Sequence, residues 1–329
     1  MNITQSIKVL STYIDSDIPA FLWGSPGIGK SDIVVGLAAL RGLPLIDLRA
    51  ALLDPLDLRG LPKISGDVVQ WLPMGELPIE SRDGSEGILF LDELNAAAPA
   101  VQAACFQLVL NRRIGTYHLP AGWRIVAAGN RQSDRASAQR LSSALADRFA
   151  HIDVDCDLDS WCRWAIAKGK PAEVVAFLRF RPELLHDFDP DRLINATPRG
   201  WGERVCALVS AGLEKTTELL ALAGSVGEGP AAEFTAFLRV WRTLPSPDGL
   251  LLSPDSGDMP SDPATLFALM GALSRKVTEQ SMANFVRILG RAPVEYGVAA
   301  MRDAVTRDPL LQNTSGFVSW SAANSDVVS

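Results

Sequence analysis

Histidine is scarce in this chain of 329 residues, with three in all, and the four cysteines, Cys105, Cys156, Cys162 and Cys206, show no C-x-x-C spacing. No zinc cluster suggests itself. The cysteines read as reduced, mostly buried thiols, because free cysteine is among the most buried residue types. Long apolar runs are missing as well: none approaches the ~18–20 residues of a spanning helix, and Met1-Asn2-Ile3-Thr4 does not begin a basic region followed by an apolar core. Cytoplasm is the expected location and no membrane partner is expected. Basic clusters are also absent. The 31 Lys and Arg residues are scattered, and against 38 Asp and Glu they leave a formal net charge of −7. Such a chain offers no electrostatic footprint for nucleic acid, which disfavours DNA or RNA as a partner.

What is present is apolar material enough for a sizeable core, 47% of the residues, and length enough for two or three domains. The first half alternates short β-type runs with amphipathic helical ones, the pattern of a parallel sheet covered by helices. The runs predict strands at Ala20–Trp23, Leu43–Leu48, Gly87–Leu91, Trp123–Ala128 and Ala150–Val154, with helices around Ser31–Leu40 and Pro99–Leu110. From about Asp157 the β signal vanishes. Helical spacing takes over at Asp159–Ala167, Ala172–Leu185, Pro198–Ala211 and Pro230–Leu244, then at Ala264–Lys276 and Gln280–Thr306. Between them Pro245–Pro263, rich in Pro, Ser, Asp and Gly, predicts a linker or long loop, and the polar end of Ser315–Ser329 is expected to fray.

Chemistry enters at Gly24-Ser25-Pro26-Gly27-Ile28-Gly29-Lys30-Ser31, a complete G-x-x-x-x-G-K-[ST] loop, with Asp32 following in the helix. The glycines let consecutive backbone N–H groups face the α/β-phosphates, Lys30 reaches the β/γ-phosphates and the Ser31 hydroxyl ligates Mg²⁺ at a helix N-terminus. The strand before and the helix after are the context that separates this loop from a chance glycine-rich turn. The chain is expected to bind a nucleoside triphosphate.

A second motif is Gly87-Ile88-Leu89-Phe90-Leu91-Asp92-Glu93, an apolar strand that delivers two acids at its C-terminal edge, where ligands sit in open α/β sheets. Asp92 then holds Mg²⁺ through its water shell and Glu93 orients and deprotonates the attacking water. Alone, the motif could be a strand capped by a solvated acidic turn; downstream of a phosphate loop it gains weight. The run Trp123–Gly129 ends in Asn130, which can bond the γ-phosphate or the water, although an Asn after a strand is ordinarily a turn residue. Ala146-Asp147-Arg148-Phe149 precedes the last strand. In Asn195-Ala196-Thr197-Pro198-Arg199, Thr197 reads as an N-cap and Pro198 as the first helical residue, with Arg199 in the first turn.

The five motifs in this order resemble those of the AAA+ ATPases and, more closely, the MoxR family, in the branch with an insert in the second helix. Leu91-Asp92-Glu93-Leu94-Asn95, Ala146-Asp147-Arg148-Phe149 and Ala196-Thr197-Pro198-Arg199 carry the closer likeness, which covers roughly Ile18 to Leu213. The resemblance implies an α/β fold, an AAA+ P-loop NTPase core with its parallel sheet sandwiched by helices, followed by an all-α lid and further C-terminal helices. It divides the chain into a core at 1–156, a lid at 157–227 and an extension of unassigned role at 228–329. It implies ATP and Mg²⁺ as ligands, Asn130 as sensor 1, Arg148 as the arginine finger for a neighbouring subunit, and Arg199 as sensor 2. A homo-oligomeric ring, commonly hexameric, is implied too, with a protein substrate that in MoxR relatives is often a von Willebrand factor A domain protein. Leu61–Pro78 looks like the helix-two insert hairpin and Arg112–Pro120 like the hairpin before sensor 1.

The leading reading is an ATPase that remodels or activates a protein partner. A nucleic-acid motor is disfavoured by the charge. A switch that binds ATP and hardly hydrolyses it has no need of Glu93, Asn130 and Arg148 together, and a small-molecule kinase needs an acceptor site for which the C-terminal half has no evident polar motif.

Overall fold

A computed structural model describes residues 1–72, 75–134 and 141–324, in two compact units, Met1–Cys156 and Asp157–Ser329. The strands are β1 Ala20–Trp23, β2 Leu45–Arg49, β3 Leu61–Ser65, β4 Val68–Leu72, β5 Glu86–Asp92, β6 Arg113–Ile114, β7 Tyr117–His118, β8 Gly122–Gly129 and β9 Ala150–Asp153. Helices of the first unit are α1 Ile3–Asp15, α2 Lys30–Arg41, α3 Pro55–Arg59, α4 Glu80–Asp83, α5 Pro99–Asn111 and α6 Ser143–Ala146. Those of the second are α7 Leu158–Ala167, α8 Ala172–Phe180, α9 Cys206–Ala211, α10 Glu218–Val226, α11 Glu228–Trp241, α12 Pro247–Leu252, α13 Pro263–Lys276, α14 Met282–Leu289, α15 Val294–Arg307 and α16 Ser315–Ala323.

In the first unit five parallel strands form a sheet in the order β2-β5-β8-β1-β9. Its inner strands β5, β8 and β1 are largely apolar because both faces are covered, whereas the edge strands β2 and β9 carry exposed polar residues. On β5, Ile88 and Phe90 face the side where α1 and α2 contribute Leu10, Ile14, Val34 and Leu37. Leu89 and Leu91 face the side where α5 contributes Val101, Cys105 and Leu108. All four strand residues are fully buried, and burial of each such side chain stabilises by about 1.5–3 kcal/mol. The fold is thus the expected one, an α/β P-loop NTPase core with helices following.

Two hairpins leave this sheet. β3 and β4 pair antiparallel, with Leu61 opposite Leu72 and Pro62 opposite Trp71, and β6 pairs with β7. The Thr116 hydroxyl donates to the Trp71 carbonyl at 3.2 Å, tying one hairpin to the other. Leu61, Ile64 and Leu72 are exposed and Trp71 is half-buried.

The second unit is helical, and helices from both sides of residue 227 pack within it. Arg179 on α8 pairs with buried Asp303 on α15, and Arg302 of α15 pairs with Asp159 on α7 at 2.6 Å. Several sequence expectations need correction here. The segment Pro245–Pro263 is not a plain linker: it contains α12, started by Pro247 and capped by the Ser246 hydroxyl, with Leu251 buried. Gln280–Thr306 is two helices, broken before Pro293, and Ala172–Leu185 ends as an α-helix at Phe180, ahead of Pro182; proline lacks the N–H and its ring clashes with the preceding turn. Pro198–Ala211 runs through a π-helical stretch, Gly200–Val205, before α9. Helices α1 and α10 had no counterpart in the sequence reading. Residues 325–329, where fraying was expected, lie outside the described residues. Among the described residues no helix is long and apolar enough to cross a membrane.

Candidate nucleotide site

The loop from Gly24 to Gly29 joins β1 to α2, so Lys30 and Ser31 open a helix at the C-terminal edge of the sheet. Gly29 has φ +98° and ψ 24°, a left-handed conformation in which a side chain is strained. The loop needs glycine there. Lys30 is only 9% exposed, and its ammonium donates to the carbonyls of Gly24 at 2.7 Å and Ser25 at 3.1 Å and to Asn130 Oδ1 at 2.9 Å.

β5 and β8 bring the other groups to the same edge. Ser31 Oγ donates to Asp92 Oδ2 at 2.8 Å, and Asp92 Oδ1 accepts the Glu93 N–H at 2.9 Å. Glu93 itself takes a left-handed conformation, φ 55° and ψ 31°. Such strain in a non-glycine residue clusters at functional sites. Its carboxylate is exposed and, among the described residues, has no hydrogen-bond or ion-pair partner. Ser31 and Asp92 are hard oxygen donors, the kind that Mg²⁺ takes. Among the described residues no group of three or more His, Cys, Asp or Glu gathers.

Two groups at this edge were not singled out from the sequence. Asn95 is 1% exposed, and its Nδ2 donates to the Asn130 carbonyl at 2.8 Å. A Cβ on Gly129 would lie 2.3 Å from Asn95 Oδ1, so glycine before Asn130 is what lets that amide approach. Asp47 on β2 is the other. Burial, and then the charge of Asp92, push its carboxyl above the usual value.

The two arginines are placed differently. Arg148 follows α6; its guanidinium pairs with Asp147 at 3.0 Å and lies over the Phe106 ring, 5.4 Å from the centroid. No hydrogen bond or ion pair joins it to Lys30, Ser31, Asp92, Glu93 or Asn130 among the described residues. Arg199 belongs to the helical unit. Thr197 Oγ1 accepts the Gly200 N–H at 3.1 Å, as an N-cap does, and Trp161 Nε1 holds the Pro198 carbonyl at 3.1 Å, leaving Arg199 exposed on the first turn. The cysteines stand apart from this chemistry: all four are free, and burial pushes the Cys105, Cys162 and Cys206 thiols up to about 12.

A lysine on a phosphate loop, a serine on an acid and an asparagine on the lysine, all at one sheet edge, are the parts that an NTPase core assembles. The family model of the AAA domain, dynein-related subfamily, matches residues 19–149. The matched segment runs from just before β1 to the residue before β9 and contains the whole cluster. No curated protein matches the chain. Among solved structures, NtrX from Brucella abortus is similar at 14% identity and a TM-score of 0.43, covering 92% of this chain and 67% of that one. NtrX in complex with ADP aligns at 16% identity and 0.42, covering 98% and 67%, and in complex with ATP at 15% and 0.43, covering 99% and 66%. The chain spans about two thirds of NtrX. The fold stands on the sheet order and the phosphate loop.

Proposed function

We propose that this chain is a ring-forming AAA+ ATPase of the MoxR type that hydrolyses ATP and remodels or activates a protein partner. The observation that carries the reading is the convergence of Lys30, Ser31, Asp92 and Asn130 at the C-terminal edge of β1, β5 and β8. Loop N–H groups and Lys30 would bind the phosphates; Ser31 and Asp92 would hold Mg²⁺, which supplies neutralising charge when bound. Glu93 accepts the proton of the water whose oxygen attacks the γ-phosphorus as the bond to the ADP oxygen breaks. Asn130, fixed through its carbonyl by Asn95 and through its side chain to Lys30, orients the γ-phosphate or that water.

Arg148, outside the cluster of its own chain, serves the ATP of a neighbouring subunit, and Arg199 is the lid's sensor, with 157–227 as the lid and 228–329 as an extension. The hexameric ring and a partner carrying a von Willebrand factor A domain rest on the likeness to MoxR. Calorimetric titration with ATP and a phosphate-release assay test the core of the reading. Lys30→Ala should lose ATP binding, whereas Glu93→Gln should bind ATP and not turn it over. Wild-type turnover in Glu93→Gln would remove the assigned base.

A further inference from the structure

His151 lies on β9 two residues after Phe149, and the parallel register sets it opposite Phe21 of β1. Both of its ring nitrogens are engaged. Trp23 Nε1 lies 2.7 Å from His151 Nδ1, and His151 Nε2 lies 2.9 Å from the Ala146 carbonyl. An indole N–H can only donate and a carbonyl can only accept, so the ring is the neutral tautomer with its proton on Nε2. Rings lock the arrangement from the side: Phe21 stacks on Trp23 with centroids 4.1 Å apart, and Phe149 meets Phe21 edge-on at 5.5 Å.

The two ends of this bridge matter. Trp23 is the last residue before Gly24, so its position is that of the phosphate loop's first residue. Ala146 ends α6 immediately before Asp147 and Arg148, and its carbonyl also accepts the Phe149 N–H at 3.1 Å, closing the turn that carries Arg148. A hollow of about 500 Å³ opens beside that turn, lined by Ser143, Ala146, Asp147, Phe149 and His151. The turn is held by Phe149, which packs on Phe21, and by the hydrogen bond from His151 to the Ala146 carbonyl.

We infer that His151 is a positioning residue that couples a subunit's own phosphate loop to the arginine it offers its neighbour. The inference rests on the reading of Arg148 as a finger acting on a neighbouring subunit. A shift of Gly24 against phosphate moves Trp23, Trp23 moves the imidazole, and the imidazole moves the carbonyl that heads the Arg148 turn. Information on nucleotide state then passes between adjacent sites through two hydrogen bonds.

The test uses the full chain with four variants: Trp23→Phe, which keeps a ring and loses the donor; His151→Phe; His151→Gln, whose amide can both accept and donate; and Arg148→Ala as reference. ATP affinity, turnover, the Hill coefficient for ATP and the unfolding midpoint are measured for each. Trp23→Phe and His151→Phe should lower turnover by about three- to tenfold, the worth of one net hydrogen bond, and bring the Hill coefficient to one. Their ATP affinity should stay within about twofold of wild type, and His151→Gln should recover much of the turnover and cooperativity. If Arg148→Ala is slow while Trp23→Phe keeps wild-type turnover and cooperativity with an unchanged midpoint, the coupling is wrong and the finger stands. If Arg148→Ala has wild-type turnover, the finger reading fails and the inference falls with it.

Discussion

Asn95→Ala is the substitution that separates support of the site from the site itself. The amide is fully enclosed, donates to the Asn130 carbonyl at 2.8 Å, and fills the space that a side chain on Gly129 would take. Truncation removes that bond and leaves the half-buried Asn130 carbonyl without this donor, a loss of about 1–3 kcal/mol for an unsatisfied acceptor. At roughly 2–4 °C per kcal/mol for a domain of this size, the melting temperature should fall by several degrees. Catalysis should change more specifically. Asn130 would keep its side chain but lose the anchor that aims it, so turnover should drop about tenfold, the rate equivalent of ~1.4 kcal/mol. ATP affinity should change little, because Lys30 keeps its bonds to the loop carbonyls of Gly24 and Ser25. Thermal unfolding, calorimetric ATP titration and phosphate release on one preparation give all three quantities. Asn95→Ala with wild-type turnover, or with affinity lost in step with turnover, would refute the idea that the buried amide aims Asn130.

Arg148→Ala should bind ATP and hydrolyse it ~10³- to 10⁵-fold more slowly, and mixing it with Lys30→Ala subunits should restore activity, since intact arginines then face intact phosphate loops; no recovery in rings shown to mix would return Arg148 to a structural role. Trp71→Ala should leave basal hydrolysis and the unfolding midpoint unchanged while weakening the response to a protein partner, because Trp71 is half-buried on a hairpin whose Leu61, Ile64 and Leu72 are exposed; a loss of several degrees would mean that the ring packs instead. For Asp159, burial pushes the carboxyl up, but Arg302 and Arg179 outweigh it and hold it below the usual 3.8. A value lowered in the folded state gives stability that is complete above the unfolded value of ~3.9 and lost as pH falls through the folded one. Acid unfolding of wild type should therefore show a component below pH ~4 that Arg302→Ala lacks, and superimposable pH profiles would count against it.

The parts of the site that were legible in the sequence are those the parallel sheet delivers at strand ends. β1, β5 and β8 are largely apolar runs, a pattern that burial on both faces forces. The strand limits moved by one or two residues and the chemistry-bearing ends did not: Gly24, Asp92 and Asn130 stand where the runs stop. Asn95 was visible as a letter of a motif, yet its task depends on Gly129 having no side chain, and β5 and β8 must be adjacent before that matters. Trp23 and His151 are 128 positions apart. Only the pairing of β1 with β9 makes them neighbours, and no local periodicity encodes a strand order.

The helical unit fails to read for a different physical reason. On α10, Glu218 is 2% exposed and paired with Arg242, while Leu219 and Leu220 of the same helix are 45% and 74% exposed. A buried charge needs such a partner. The partner is the residue that caps the end of α11, so the buried stripe of α10, Glu218, Leu222, Ser225 and Val226, mixes polar with apolar residues, and a contact outside the helix blurs its apolar spacing. Proline acts in the opposite sense. Pro182 and Pro293 were printed in the sequence, but the apolar spacing continues across both because the segments on either side bury residues of their own, Leu184 and Leu185 after the first and Met282, Phe285 and Ile288 before the second. Periodicity reports which residues are buried, whereas proline reports where the backbone can remain helical, and at these two positions the backbone constraint decides the element boundary.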